Sequence, residues 1–144
     1  MKRILLLIIL WFNLLIGYAQ EQPGNNLGKS LYTMQQEFPE LRFIRTDTKG
    51  DFYQDGYPQD GIALFFYFKE NRVIEECMIC ESTDGFSKMW YDSMWKSFSS
   101  KYNYAVVENK YNSKKFKFRG FNIHLIYYAE DGKETALIVY EKKQ

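Results

Sequence analysis

Cys77 and Cys80 are separated by two residues, a spacing typical of redox motifs. Redox pairs lie at helix starts, where the helix dipole lowers the pKa of the thiol. Here the flanking residues are those of an apolar strand, on which positions three apart point to opposite faces. A direct disulfide would therefore need a bulge, although an oxidising compartment would favour pairing. Two free buried thiols, a disulfide and a catalytic thiol are the three alternatives.

His124 is the only histidine of the chain. Nucleophilic catalysis needs such a base beside a nucleophile, and the chain contains no G-x-S-x-G elbow. Glu75 and Glu76 are adjacent, so on a strand they point to opposite faces and do not form a glycosidase pair. One histidine and two cysteines do not complete an ordinary zinc site. We therefore predict no catalytic residue, no metal and no cofactor. The sequence does not decide whether the protein is an enzyme, and it favours a protein that is not one.

Two loop motifs resemble ligand sites without meeting their requirements. Gly24 and Gly28 precede a Lys-Ser pair, but three residues separate the glycines where a phosphate loop has four. The segment that starts at Asp51 has Tyr53 and Ile62 at two calcium-ligand positions, which excludes an EF-hand. A looser calcium site remains an alternative on the aspartates of this loop, Asp47, Asp51, Asp55 and Asp60.

Residues 114–119 alternate lysine and arginine with phenylalanine, as in some proteins that bind single-stranded nucleic acid. The same pattern describes a strand whose edge lysine protects. The chain has 19 basic and 18 acidic residues, so no strong field attracts it to nucleic acid. We predict no nucleic-acid partner, and an anionic glycan or a protein is the better candidate.

Aromatic residues make up 19% of the chain, with 12 tyrosines and 12 phenylalanines. Successive strand residues alternate faces, so Phe65 and Tyr67 oppose the two phenylalanines that follow them, and Tyr127 opposes Tyr128. Only one member of each pair lies beneath covering helices, and the other is free to bind a partner or to form cross-strand ladders. The predicted binding residues, taken from these strands and from loop 46–61, are Phe52, Tyr53, Tyr57, Phe65, Tyr67 and Tyr127.

The N-terminus has the organisation of a secretory signal. Lys2 and Arg3 precede an apolar run, and Gly17 and Ala19 occupy the two positions that a signal peptidase reads. The run is shorter than the ~20 residues of a spanning helix, so no membrane span is expected after cleavage. We predict a signal peptide over 1–19, a flexible leader over 20–26 and one α+β domain over 27–144, in a periplasmic or secreted protein.

The remaining pattern predicts two helices and six strands. Leu27, Leu31, Met34 and Phe38 recur at steps of four, three and four, which is one face of a short helix. A second helix over 85–101 is predicted to pack through Trp90, Met94 and Phe98. Residues 46–61 are predicted to form a loop, or a loop that contains a small hairpin at Asp55-Gly56. The predicted strands are 41–45, 62–68, 73–81, 104–108, 116–128 and 135–140, with turns at 70–71 and 131–132.

This order predicts an α+β fold with an antiparallel sheet of about six strands. The strands fall into two helix-plus-three-strand halves, and the two helices cover one face. A shift of 60 residues aligns the halves, bringing Met34 onto Met94 and Tyr67 onto Tyr127, which suggests an internal repeat.

The order of elements resembles two groups of exported proteins. One is the beta-lactamase inhibitor protein fold, a tandem of helix-plus-strand repeats, and the other is the small BamE-like envelope modules. The hairpin from Tyr67 to Val73 is similar to one in uncharacterised exported proteins of Gram-negative bacteria. The resemblance covers most of the mature chain, but no diagnostic motif supports it, so it transfers no functional residue.

Three functions fit these observations. The first is an exported, non-catalytic binding or inhibitor-like module for an unknown protein or glycan of the envelope. The second is a small hydrolase that uses His124 with carboxylates. The third is a structural subunit of an envelope assembly, or a homodimer that closes its own apolar face.

The signal predicts the N-terminus of the exported protein. Mass spectrometry should find a chain that begins at Gln20, because cleavage after Ala19 fits the small-residue rule. Recovery of a chain that retains Met1 in the membrane fraction would contradict the prediction.

Overall fold

The first helix, α1 (Leu31–Glu37), contains Leu31 and Met34 of the predicted apolar stripe, while Leu27 precedes it and Phe38 is its C-cap. In the computed structural model, which describes residues 26–143, the Ser30 hydroxyl caps this helix by accepting a hydrogen bond from the Thr33 N–H at 3.2 Å. Met34 is fully buried beneath the helix. The predicted signal, and the predicted leader except its last residue, lie outside the described residues.

Four strands follow α1 in an antiparallel meander, with one turn of 3-10 helix at Pro58–Asp60. They are β1 (Arg42–Thr46), β2 (Asp51–Asp55), β3 (Ile62–Lys69) and β4 (Arg72–Ser82).

Helix α2 (Phe86–Tyr102) opens the second part of the chain. The Ser82 hydroxyl accepts a hydrogen bond from the Ser87 N–H at 2.9 Å and so satisfies one free donor of the first turn. A 3-10 turn and a second meander follow. Its elements are the turn Asn103–Ala105 and the strands β5 (Val106–Lys110), β6 (Ser113–Lys117), β7 (Phe121–Glu130) and β8 (Lys133–Lys142).

The eight strands form one antiparallel sheet in the order β1-β2-β3-β4-β8-β7-β6-β5. The last strands of the two meanders, β4 and β8, pair at the centre over eight residue pairs, from Glu75 opposite Glu141 to Ser82 opposite Glu134. The prediction of a six-strand sheet in two helix-plus-three-strand halves is therefore wrong. Its two missing strands are β2 and β6.

The sequence did not predict strand β2, because the residues around it favour turns. Aspartate and glycine dominate 46–61, yet Phe52 and Tyr53 alternate faces between them. Gly50 has φ +149°, and a Cβ there would lie 2.1 Å from the Phe68 carbonyl oxygen. A glycine that is typical of a loop thus lets the β1–β2 turn approach β3 closely.

Strand β6 overlaps the strand predicted over 116–128 only at Phe116 and Lys117, and that prediction joined it to β7. The chain turns between β6 and β7, where the Phe118 N–H donates to the Phe121 carbonyl at 3.0 Å. Alternation of lysine and phenylalanine continues almost to this turn, so it did not reveal the break.

The two faces of the sheet differ in their cover. Helices α1 and α2 lie on one side, which we call the helix face. Beneath α1, Met34 packs with Phe66 and Phe68, and beneath α2, Tyr91 and Phe98 join a larger cluster. The sheet residues of that larger cluster are Phe116, Ile123, Leu125, Tyr127, Ala136, Ile138 and Tyr140.

Within residues 26–143, neither α-helix packs against the opposite side, which we call the open face, but Ala63 on that side is fully buried next to Gly56. Cross-strand rows identify its members, because directly opposed residues share a face. Within the same residues no helix is long and apolar enough to cross a membrane.

Helix α2 packs onto the sheet through its apolar side. Phe98 is buried as expected, and Trp90 and Met94 contact the core from the margins of the helix. Tyr91 occupies the centre, with only 2% of its surface exposed.

Replacement of Phe98 tests this packing. Phe98→Ala should lower the free energy of unfolding by ~3–5 kcal/mol, because it opens a cavity against Phe116. Ser97→Ala, at the exposed neighbouring position, should change it by less than ~0.5 kcal/mol. Urea denaturation of both variants measures the difference, and equal effects would contradict the observed helix face.

Candidate functional site: the open face of the sheet

Three aromatic side chains meet at one end of the open face. Phe52 on β2 lies opposite Tyr67 on β3, and their ring centroids are 4.8 Å apart. Phe52 also stacks on Phe65, with a centroid distance of 5.4 Å and an interplanar angle of 14°. We call Phe52, Phe65 and Tyr67 the aromatic cluster. It assembles three of the six predicted binding residues on one surface.

Two cations from the β1–β2 region lie over the aromatic cluster. The Arg45 guanidinium is 4.6 Å from the centroid of Phe52, and the Lys49 ammonium is 4.8 Å from that of Tyr67. Such contacts stabilise a cation by ~0.5–1 kcal/mol at exposed sites. The outer side of the aromatic cluster is therefore positively charged, because these two cations lie over its rings.

Hydrogen bonds hold these cations in place. The Tyr67 hydroxyl accepts from Arg45 Nη2 at 3.1 Å and donates to Asp47 Oδ2 at 3.0 Å, while Lys49 forms an ion pair with Glu75. The backbone N–H of Lys49, then Tyr67 and Arg45, bind the Asp47 carboxylate and lower its pKa below the usual value. Asp47 thus remains charged and keeps Arg45 oriented.

Apolar side chains continue from this cluster across the centre of the open face. One cross-strand row runs from Phe65 through Cys77 to Val139, and the next consists of Ile79, Leu137 and Ile126. All six side chains are half-buried. We call these six residues the apolar rows, and they form a continuous surface over four strands.

A polar chain lies at the far side of the face. His124 sits between Val139 and Lys115 in register, and its Nε2 lies 2.9 Å from the Ser113 hydroxyl. Ser113 in turn donates to Glu108. A hydroxyl has one proton, so Ser113 accepts from His124 and donates to the carboxylate.

This direction of hydrogen bonding is the reverse of a nucleophile and its base. A catalytic histidine accepts the proton of the serine, whereas here His124 Nε2 carries the proton and Ser113 is its acceptor. The Ser113 hydrogen bond, followed by Lys110 and Lys115, lowers the pKa of Glu108, which keeps the terminal acceptor ionised. The chain of three side chains orders this part of the sheet.

Burial is the main cause that lowers the pKa of His124, and the neighbouring Lys115 lowers it further. Glu108 and Glu141 act in the opposite direction with smaller effect. His124 is therefore neutral at pH 7.

The two cysteines lie on opposite faces, as strand alternation predicts. Cys80 is buried on the helix face, Cys77 is half-buried on the open face, and both are free thiols. Burial, with the charges of Glu75 and Glu76, raises the pKa of Cys77 to about 12. A thiol with such a pKa is a poor nucleophile, so Cys77 belongs to the apolar surface.

The other three predicted binding residues lie elsewhere. Tyr53 is on the helix face, where its ring meets Phe68 edge-on at 5.1 Å. Tyr57 is exposed beyond β2 and receives a hydrogen bond from Arg42. Tyr127 is buried beneath α2 with 7% exposed, and Tyr128, which is 49% exposed, occupies the open face instead.

Tyr127 has an internal role on the helix face. The Lys88 ammonium lies 5.2–5.9 Å from the ring centroids of Tyr91, Tyr111 and Tyr127. The Tyr127 hydroxyl donates to Glu134 at 3.0 Å. The ring of Tyr127 and its hydroxyl therefore both contact groups of this chain.

Sequence reasoning missed the polar chain and most of the apolar rows. Ser113 meets His124 only because β6 is a separate strand, and Leu137 joins Ile79 only because β4 pairs with β8. Alternation within β8 would have identified its apolar residues, but their assignment to a face needs that long-range pairing.

No metal-binding group appears in the part of the chain that the structure describes. Across residues 26–143, no three or more histidine, cysteine, aspartate or glutamate side chains converge to hold an ion. The aspartates of 46–61 accordingly do not assemble as a cluster. No protein family, curated protein or solved structure matches this chain.

The titration of His124 tests the polar chain. As the only histidine, it should give one imidazole NMR signal with a midpoint below 6.5, because burial disfavours the cation. Since the unfolded chain binds the proton more readily, His124 should contribute full stability above pH 6.5 and lose it as pH falls. His124→Gln should remove this part of the pH dependence in urea denaturation. A midpoint above 6.5 would contradict the proposed environment.

Proposed function

We propose that the protein is an exported, non-catalytic binding module that recognises its partner through the open face. The observation that carries this proposal is the continuity of the aromatic cluster with the apolar rows on a face without a covering helix. Contiguous apolar surfaces of this kind mark interaction sites in soluble proteins.

The size of the open face fits a specific interface. The seven gaps of ~4.8 Å between eight strands, and about seven residues of ~3.4 Å along each strand, give a projected area of roughly 800 Å². One partner of a standard interface contributes about 800 Å². An apolar centre with charged groups around it also matches the usual arrangement of an interface core and its rim.

The composition of the face supports recognition over catalysis. Tyrosine and arginine are enriched at interfaces, and Tyr67 and Arg45 are held together at one end of this face. The two side chains that could act as nucleophiles are unreactive. The Ser113 hydroxyl donates to an ionised Glu108, and the pKa of Cys77 is high. For these reasons we do not propose the hydrolase that His124 suggested.

Export is the second part of the proposal and rests on the signal at the N-terminus. The resemblance to beta-lactamase-inhibitor-protein-like and BamE-like modules also belongs here as a proposal. It is supported by the order of helix and antiparallel meander, which occurs twice in the chain.

Site-specific photocrosslinking tests the open face. A benzophenone amino acid that replaces Phe65 should form adducts in the cell envelope, because this side chain belongs both to the aromatic cluster and to the apolar rows. The same amino acid in place of Tyr32, which is 71% exposed on α1, is the matched control and should form few.

Circular dichroism of both variants establishes that they are folded. Adducts from Tyr32 but not from Phe65, or none from Phe65 in a folded protein, would contradict the proposed function.

A further inference from the structure

We infer that one corner of the molecule, where β6 turns into β7, docks on the surface of an anionic lipid bilayer. We call this region the basic corner, and it consists of the segments 101–104, 117–121 and 142–143. The inference goes beyond the proposed function, because the corner lies at the ends of the strands, outside the aromatic cluster and the apolar rows.

The ring of Phe118 joins the aromatic side chains of the basic corner. It stacks on Phe121, with a centroid distance of 4.7 Å and an interplanar angle of 12°. It meets the ring of Tyr102 edge-on at 5.2 Å and that of Tyr104 at 6.3 Å. Four rings from the end of α2 and from the β6–β7 turn therefore form one connected group.

The C-terminal segment is bound to the same turn. The Lys143 N–H donates to the Gly120 carbonyl at 3.0 Å, and the Lys143 ammonium donates to the Phe118 carbonyl. Lys142 pairs with Phe121 in the register of β7 and β8. The three segments thus form one surface, although they are separate in the sequence.

The basic corner carries several cations, and its own segments contain no acidic residue. Its cations are Lys101, Lys117, Arg119, Lys142 and Lys143. Lys117, Arg119 and Lys142 are exposed and make no ion pair with any residue in 26–143. The adjacent Glu141 lies two strands from Lys117 in the same row, about 10 Å away. The corner is therefore strongly positive.

The opposite ends of the strands carry negative charge. Glu130 and Asp131 lie at the β7–β8 turn, and Glu81 and Asp84 precede α2. Lys133 is also there, but it forms an ion pair with Glu81 at 2.7 Å. The net charge of the chain is only +1, and β7 separates the two ends by about 30 Å. An anionic surface therefore attracts the basic corner and repels the far end, which orients the molecule.

The combination of cations with an exposed ring favours a bilayer as the anionic partner. Each lysine or arginine near an anionic bilayer raises binding about fivefold. Tyrosine lies readily at the headgroup level, where its ring meets acyl chains and its hydroxyl stays hydrated. Tyr104 is 81% exposed in the 3-10 turn beside these cations. With the strands upright on the bilayer, the open face stays accessible to its own partner.

Co-sedimentation of the chain from Gln20 with vesicles tests the inference. One set of vesicles contains phosphatidylcholine alone, and the other contains equal parts of phosphatidylcholine and phosphatidylglycerol. We expect binding to the second set only, and weaker binding as salt rises, because salt screens exposed charges. Arg119→Gln and Lys142→Gln should each lower the partition coefficient about fivefold, and the double variant about 25-fold.

The double variant Lys110→Gln/Lys133→Gln is the matched control. It removes the same charge from exposed positions beyond the Debye length of about 10 Å from the corner, so the partition coefficient should change by less than about twofold. Circular dichroism establishes that all variants are folded. An equal loss of binding in the two double variants would overturn the inference, as would equal binding to both sets of vesicles.

Tyr104→Ala separates a bilayer from a dissolved polyanion. It should weaken binding to the phosphatidylglycerol vesicles without changing any binding to dextran sulfate, which has no acyl chains for the ring to contact. Binding to dextran sulfate without binding to either vesicle would overturn the inference in favour of a soluble polyanion. No binding to the phosphatidylglycerol vesicles at low salt would also overturn it. Neither result affects crosslinking from Phe65, so the proposed function is tested separately.

Discussion

The pairing of β4 with β8 is the interaction on which the rest of the structure depends. Each meander can form from neighbouring strands, but only this central ladder joins them into one sheet. Its register sets Met78 opposite Ile138 on the helix face and Cys77 opposite Val139 on the open face. A slip by one residue would exchange the two faces of a meander, so α1 and α2 would no longer share a side. The continuity of the apolar rows follows from this one register.

Local patterns in the sequence predicted most helices and strands but not how the strands pair into one sheet. The second helix, the hairpin turns and the alternation of β3 were predicted because they depend on neighbouring residues. Strands β2 and β6 were not, since glycine and aspartate around β2 favour turns and the lysine–phenylalanine alternation runs almost to the break after β6. The pairing that fixes the faces joins residues about 60 positions apart and leaves no local trace.

The internal repeat aligns the two halves of the chain better at a shift of 61 residues than at the predicted shift of 60. The β3–β4 turn is centred on 70–71 and the β7–β8 turn on 131–132, a separation of 61. At a shift of 60, Tyr67 aligns with Tyr127, but the first lies on the open face and the second beneath α2. A shift of 61 aligns Phe66 with Tyr127, and both are buried on the helix face. A shift of 60 thus aligns residues on opposite faces, whereas a shift of 61 aligns residues on the same face.

The edges of the sheet are less suited to binding another chain than the open face, which we propose as the binding surface. An exposed edge strand pairs readily with other chains unless bulges or charges interrupt it. Strand β1 has a bulge between Phe43 and Arg45, and β5 has one between Val106 and Glu108. Both edges are thus distorted and charged, which disfavours a continuous ladder with another chain. The open face has no such interruption at its centre, so the sequence restrains the edges and leaves the apolar surface between them available for recognition.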